Sequence, residues 1–177
     1  VVMITAYATG KFILLGEHFV VSGVPAIAYP LHGLQCSVEI TPSNTFSVSA
    51  DIVGVSEGEI QGNMAGAVRV CASMLELHTD SLPICINGKS NFPVSRGFGS
   101  SASFAIALIR AFAEFRKKDL KESEFDRATF EVEKLFHGTP SGIDTAVITR
   151  GRGVFFKERQ VQKTLTQSFD VIAIDSG

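Results

Sequence analysis

The chain has 177 residues, the length of one domain or slightly more. Apolar residues make up 45% of it and charged residues 19%, which points to a well-buried domain and away from disorder. With a formal net charge of −2 and no basic stripe, nucleic acid and anionic membrane surfaces have no electrostatic support as partners.

The first third reads as strands. Residues 3–7, 12–15, 19–21 and 26–29 are short apolar runs separated by glycine or proline. Residues 35–40 and 45–49 alternate more regularly and are divided by the turn Thr41-Pro42-Ser43-Asn44. Met64, Val68, Cys71 and Leu75 recur at helical spacing and predict a helix. Residues 83–86 predict one more strand, closed by Asn87-Gly88. The loop over residues 93–101 leads into the strongest predicted helix, 102–117. Phe104, Leu108, Phe112 and Phe115 form its stripe, and Arg116-Lys117-Lys118 lies at the end where the macrodipole favours cations. A further helix begins near Ser123, with Ser123 and Asp126 as a capping arrangement, and stops at His137-Gly138 before Pro140. Phe125, Ala128, Val132, Leu135 and Phe136 carry its buried face. Residues 143–149, 154–156 and 171–174 read as strand and edge material. Strands first and helices later make the fold class α+β.

Cys36, Cys71 and Cys85 are odd in number and widely spaced, with no CxxC pair. They predict buried small hydrophobes in a reducing, cytoplasmic setting, not a zinc cage or a disulfide framework. The longest apolar helix is interrupted by Arg110 and Glu114, so no membrane span is expected. Residues 1–8 are apolar but short and lack the basic flank of a signal peptide. Asp175-Ser176-Gly177 reads as a turn into further structure, so the chain is expected to be a piece of a longer protein.

Three segments carry chemistry. In Gly97-Phe98-Gly99-Ser100-Ser101-Ala102, glycines let backbone N–H groups approach an anion, and the following helix aims its positive end at the same point. A serine hydroxyl there can bond phosphate or join a magnesium shell. Loop composition alone leaves phosphate binding and a mere helix start both open. The same residues satisfy a dinucleotide fingerprint, but Pro93 and Arg96 make a poor preceding strand and Asp119 follows a basic helix end, so that reading fails on context. The second segment joins Gly10-Lys11 to Gly16-Glu17-His18. Lys11 is the only lysine or arginine before Arg69, and on this segment alone an ordinary polar turn is the simpler reading. The third runs from Glu133 to His137-Gly138-Thr139-Pro140-Ser141-Gly142-Ile143-Asp144. Asp144 could serve as a base or cap a helix, and the helical wheel does not choose between Glu131 and Glu133.

Together these segments resemble the GHMP kinase superfamily over nearly the whole chain. Ala8-Thr9-Gly10-Lys11 through Gly16-Glu17-His18-Phe19-Val20-Val21 is similar to the family's first motif, and residues 93–103 to its phosphate-binding motif. Residues 137–144 are similar to a segment most typical of its mevalonate kinase branch. The resemblance implies ATP and Mg²⁺ as cofactors and mevalonate as the acceptor, phosphorylated to 5-phosphomevalonate in isoprenoid precursor synthesis. It implies Asp144 and Lys11 as the catalytic pair, with Asp144 taking the hydroxyl proton and Lys11 keeping it ionised. It implies Ser101 and Glu133 as metal ligands, the spacing of Glu133 from Asp144 being the family's own, which separates it from Glu131. Gly97, Gly99, Ser100, Ser101 and Ala102 would bind the triphosphate, and Lys11, Glu17, His18 and Asp144 the acceptor. The implied fold is a ribosomal-protein-S5 domain 2-like N-terminal lobe with a left-handed βαβ crossover, over residues 1–170. Residues 171–177 would start the crossover into a ferredoxin-like lobe carrying a third glycine-rich motif, which has no counterpart here. A homodimer is compatible with all of this.

Thr9 replaces the family's usual proline, Thr145 its asparagine, Ser95 a common glycine and Phe98 a common leucine. None removes a reacting group. Two alternatives stand beside the main reading: a superfamily kinase acting on phosphomevalonate, homoserine or a sugar, and a non-catalytic metabolite-binding member. A phosphorylated acceptor would call for more cations than Lys11, Lys89 and Arg96 supply near the site.

Overall fold

One 17-residue strand organises the sheet in the computed structural model, which describes residues 3–52, 57–77, 83–137 and 139–172. This strand, β2 (Ala26–Pro42), pairs with β1 (Ile4–Leu15) along one edge. Its other edge is shared. β4 (Ile84–Ser90) pairs antiparallel with residues 36–42, and β5 (Gly153–Lys157) with residues 26–28. β3 (Ser47–Ile52) runs parallel to β4, and β6 (Gln160–Leu165) forms a hairpin with β5. The order is β3-β4-β2-β5-β6, with β1 on β2.

The short runs read as separate strands fuse into β1 and β2. The seam between them is a register step at which Thr9 pairs with Gln35 but Gly10 pairs with Leu31, so residues 32–34 are passed over. Among the described residues no strand lies on the other edge of β2 between Ala28 and Cys36, so Pro30 breaks no ladder there. A register irregularity also changes which side chains face the core. Ala6 and Ala8 face the helices before the step; Lys11 and Ile13 do so after it.

Among the described residues four α-helices complete the layer: α1 (Glu57–Met74), α2 (Ser100–Phe115), α3 (Glu122–His137) and α4 (Ile143–Arg150). α1 joins the parallel pair β3 and β4. α2 is apolar nearly all round, with Ala102 through Ile109 buried, as suits a helix packed between a sheet and other helices. It touches β1 and β2 on one side and α1, α3 and α4 on the others. The main core joins Val38, Ile40, Ile84 and Ile86 of the sheet to Val68, Cys71, Ile106, Phe112 and Val132 of the helices. A second cluster joins Ala26, Ala28, Val154 and Phe156 to Ile143, Ala146 and Val147 of α4.

Several elements differ from the sequence reading. Residues 143–149, rich in β-branched side chains, form helix α4, because Gly142 and Gly151 bound it in left-handed conformations and its buried face seats on the second cluster. Residues 19–21 become a turn with a 3₁₀ segment at Val20–Ser22, where Gly16 turns the chain so that Val20 N–H donates to Gly16 O. α3 is capped two residues earlier than expected, by Lys121 N–H donating to Glu124 Oε2, and Leu135 is exposed. β6 was not anticipated. Val171 and Ile172 carry no regular structure, and residues 173–177 and Gly138 lie outside the described residues. Among the described residues no helix is long and apolar enough to cross a membrane.

Candidate active site

The register step in β1 places Lys11 on the helix side, where it is only 4% exposed. A buried ammonium is costly unless it is paired and hydrogen-bonded. Lys11 Nζ lies 3.2 Å from Asp144 Oδ1 and donates to Gly97 O at 2.9 Å. Its backbone N–H donates to Phe98 O, also at 2.9 Å, so strand and loop are tied at the same residue twice.

That loop ends at Gly99, which precedes α2 in the left-handed region at φ 71°. A Cβ at Gly99 would stand 2.9 Å from Lys11 Cγ and 3.3 Å from Asp144 Oδ2, so only glycine lets the lysine lie across the helix entrance. The first turn of α2 holds Ser100 and Ser101, whose backbone N–H groups lie at the positive end of the helix. Ala102, the next residue of that turn, is buried in the core. Ser103, also buried, has its Oγ within hydrogen-bond distance of Thr9 O at 2.7 Å and Gly99 O at 2.9 Å, which ties the helix entrance to β1. Ser95 adopts φ 60°, a conformation that explains why glycine suits this position.

The carboxylates come from two other helices. Asp144 lies in the first turn of α4 with a quarter of its side chain exposed. Glu133 lies on α3 and is 2% exposed. Burial pushes its pKa up to about 7; a hydrogen bond from Thr145 Oγ1 opposes this at 2.5 Å, Asp144 adds to it and Lys11 opposes it. Glu131 instead points away and pairs with Lys134 at 2.8 Å, so burial separates the two glutamates that the helical wheel left tied.

Lys11, Asp144, Glu133, Gly97 and Gly99 therefore come together. Glu17 stands at their edge: a Cβ on Gly97 would be 3.7 Å from its Oε1. His18 is exposed on the same turn and makes no hydrogen bond or ion pair among the described residues. Sequence reasoning missed the bridging hydroxyls of Ser103 and Thr145. Their one signal is adjacency, Ser103 closing the glycine-serine run and Thr145 following Asp144.

Among the described residues no three His, Cys, Asp or Glu stand together, so no all-protein metal cage is formed. Magnesium does not need one; it is commonly held by one or two carboxylates, waters and substrate phosphates. The donor set fits such an ion, since the Glu133 and Asp144 carboxylates repel each other with Lys11 as their shared cation.

The family model described as GHMP kinases N terminal domain matches residues 63–152. A mevalonate kinase of Methanothermobacter thermautotrophicus is 31% identical over 160 residues, covering 90% of this chain and 52% of that protein. The crystal structure of mevalonate kinase from methicillin-resistant Staphylococcus aureus superposes with a TM-score of 0.75 at 32% identity, covering 93% of this chain and 55% of that one. That of L. major mevalonate kinase in complex with R-mevalonate gives 0.74 at 26%, covering 91% and 50%. The chain spans about half the length of the curated relatives it matches, and its mixed α+β architecture is that of their N-terminal lobe.

Proposed function

This chain belongs to the GHMP kinase family through its N-terminal domain, and on that premise we propose that it carries the phosphate-binding and proton-accepting half of an enzyme that moves the γ-phosphoryl group of ATP onto the hydroxyl of mevalonate. The observation that carries the reading is the 3.2 Å pair of Lys11 and Asp144 at the entrance of α2. Phosphoryl transfer depends on positioning and charge neutralisation, and this site concentrates both.

The geometry supports a division of labour among these residues. The backbone N–H groups at Gly97, Gly99, Ser100, Ser101 and Ala102 receive the phosphates at the positive end of α2. Asp144 accepts the proton of the acceptor hydroxyl. Lys11 pairs with that carboxylate at 3.2 Å and stabilises negative charge developing beside it. Glu17 and His18 line the acceptor end. Ser101 and Glu133 would hold Mg²⁺, which when bound neutralises the phosphate oxygens. Buried free thiols at Cys36 and Cys71 suit a reducing compartment, and we place the protein in the cytoplasm. Residues 1–170 form the nucleotide-binding domain in this proposal.

Mevalonate is favoured as acceptor because the relatives above bear that name over most of this chain. The test is an ATP-dependent phosphorylation assay of the intact protein against mevalonate, phosphomevalonate, homoserine and a hexose. Preference for mevalonate supports the proposal. Preference for another acceptor overturns the substrate, and no phosphorylation of any acceptor overturns the activity.

A further inference from the structure

Threonine hydroxyls inside helices usually bond back to the carbonyl one turn earlier, as Thr129 does to Phe125 O at 2.9 Å in α3. Thr145 does not. Its hydroxyl leaves α4 and donates to Glu133 Oε2 on α3 at 2.5 Å, with both residues buried. Another polar link between these helices, Arg150 to Glu122 at 2.7 Å, is largely exposed on the glutamate side and therefore weaker. Thr145 also directly follows Asp144, so its bond sets one carboxylate relative to the other across two helices.

We infer that Thr145 is a positioning residue: its hydroxyl fixes the Glu133 carboxylate at the place where it takes up a divalent cation, and holds it in register with Asp144. The inference rests on the kinase reading above. A carboxylate with a free χ rotation must be ordered each time it binds a cation, whereas one held by a buried donor is already in place. Partners of this kind, once removed, typically cost about 10–100-fold in metal affinity. The residue is a threonine where the family resembled usually has asparagine.

The experiment uses the intact protein with Thr145→Val, which keeps the shape and removes the hydroxyl, Thr145→Ser, which keeps the hydroxyl, and Thr145→Ala should the valine variant fold poorly. Mn²⁺ binding in the presence of ATP, read from the electron paramagnetic resonance of free Mn²⁺, is measured beside the Mg²⁺ dependence of turnover and the melting temperature. Thr145→Val, or Thr145→Ala in its place, is expected to weaken Mn²⁺ binding about tenfold and to raise the Mg²⁺ requirement in parallel. Thr145→Ser is expected to restore both, with the KM for acceptor little changed. Unchanged Mn²⁺ binding in the hydroxyl-free variant, or a serine variant as poor as it, overturns the inference. Glu133→Gln separates the levels. If it weakens Mn²⁺ binding while Thr145→Val does not, this inference alone fails; if it leaves Mn²⁺ binding intact, the metal role of Glu133 fails with it.

Discussion

At Glu133 a carboxylate sits almost out of water with one hydroxyl donor, one like charge and one opposite charge around it. Burial raises its pKa from 4.5 to about 7. In the metal-free protein the folded state thus keeps a proton that the unfolded chain has already released. The stability this gives is complete below about pH 4.5 and is lost as pH rises through about 7. The scale is roughly 3 kcal/mol. Without divalent cations, the melting temperature of the wild type should fall more steeply between about pH 5 and about pH 8 than that of Glu133→Gln. Parallel slopes would show that this carboxylate is not the proton holder. Lys11 poses the opposite problem, a buried cation, and Asp144 together with Gly97 O resolves it. The convergence of Lys11, Asp144 and Glu133 was legible in the sequence only through the resemblance. Composition left Lys11 an ordinary turn residue, and the helical wheel left Glu131 and Glu133 tied, because periodicity reports which side of a helix is apolar and not which polar neighbour meets another element.

At the level of elements, the loop from Gly97 to Gly99 and the first turn of α2 act as one unit, stitched to β1 by Lys11 and Ser103. Gly99 is its least replaceable position. Gly99→Ala should cost about 1–3 kcal/mol in stability through its left-handed backbone, and about 10²-fold in kcat by displacing Lys11 from Asp144. Thermal melts and steady-state kinetics of the variant check both. A variant with normal kcat would show that the lysine need not lie across the helix entrance. α2 was legible because its apolar run is long and its glycines punctuate it. α4 was not: residues 143–149 have the β-branched composition of a strand, and local preference is overridden by a short helix seated on Ala26, Ala28 and Phe156. The fused strands were hidden for a related reason. The register step at Gly10 switches the core-facing positions, so the period-2 pattern of β1 breaks in the middle.

For the whole molecule, one sheet face carries the helices and the site sits where β1, the α2 entrance and α4 meet. The core that supports it can be followed through its thiols. Cys36 and Cys71 are buried, which pushes the Cys36 thiol up to about 12 and the Cys71 thiol higher still, whereas Cys85 is partly accessible. A thiol reagent at neutral pH should modify Cys85 first, and Cys36 and Cys71 only on unfolding. Mass spectrometry of the labelled protein reads the order, and early labelling of Cys71 would contradict this packing of α1 on the sheet. The central claim is the proton-accepting role of Asp144. Its most direct test is Asp144→Asn in the intact protein, which preserves shape and removes the base. With ATP binding measured alongside, kcat for mevalonate is predicted to fall by about 10²–10⁴ while nucleotide affinity stays near normal. A variant that binds ATP and turns over mevalonate at close to the wild-type rate would contradict the account.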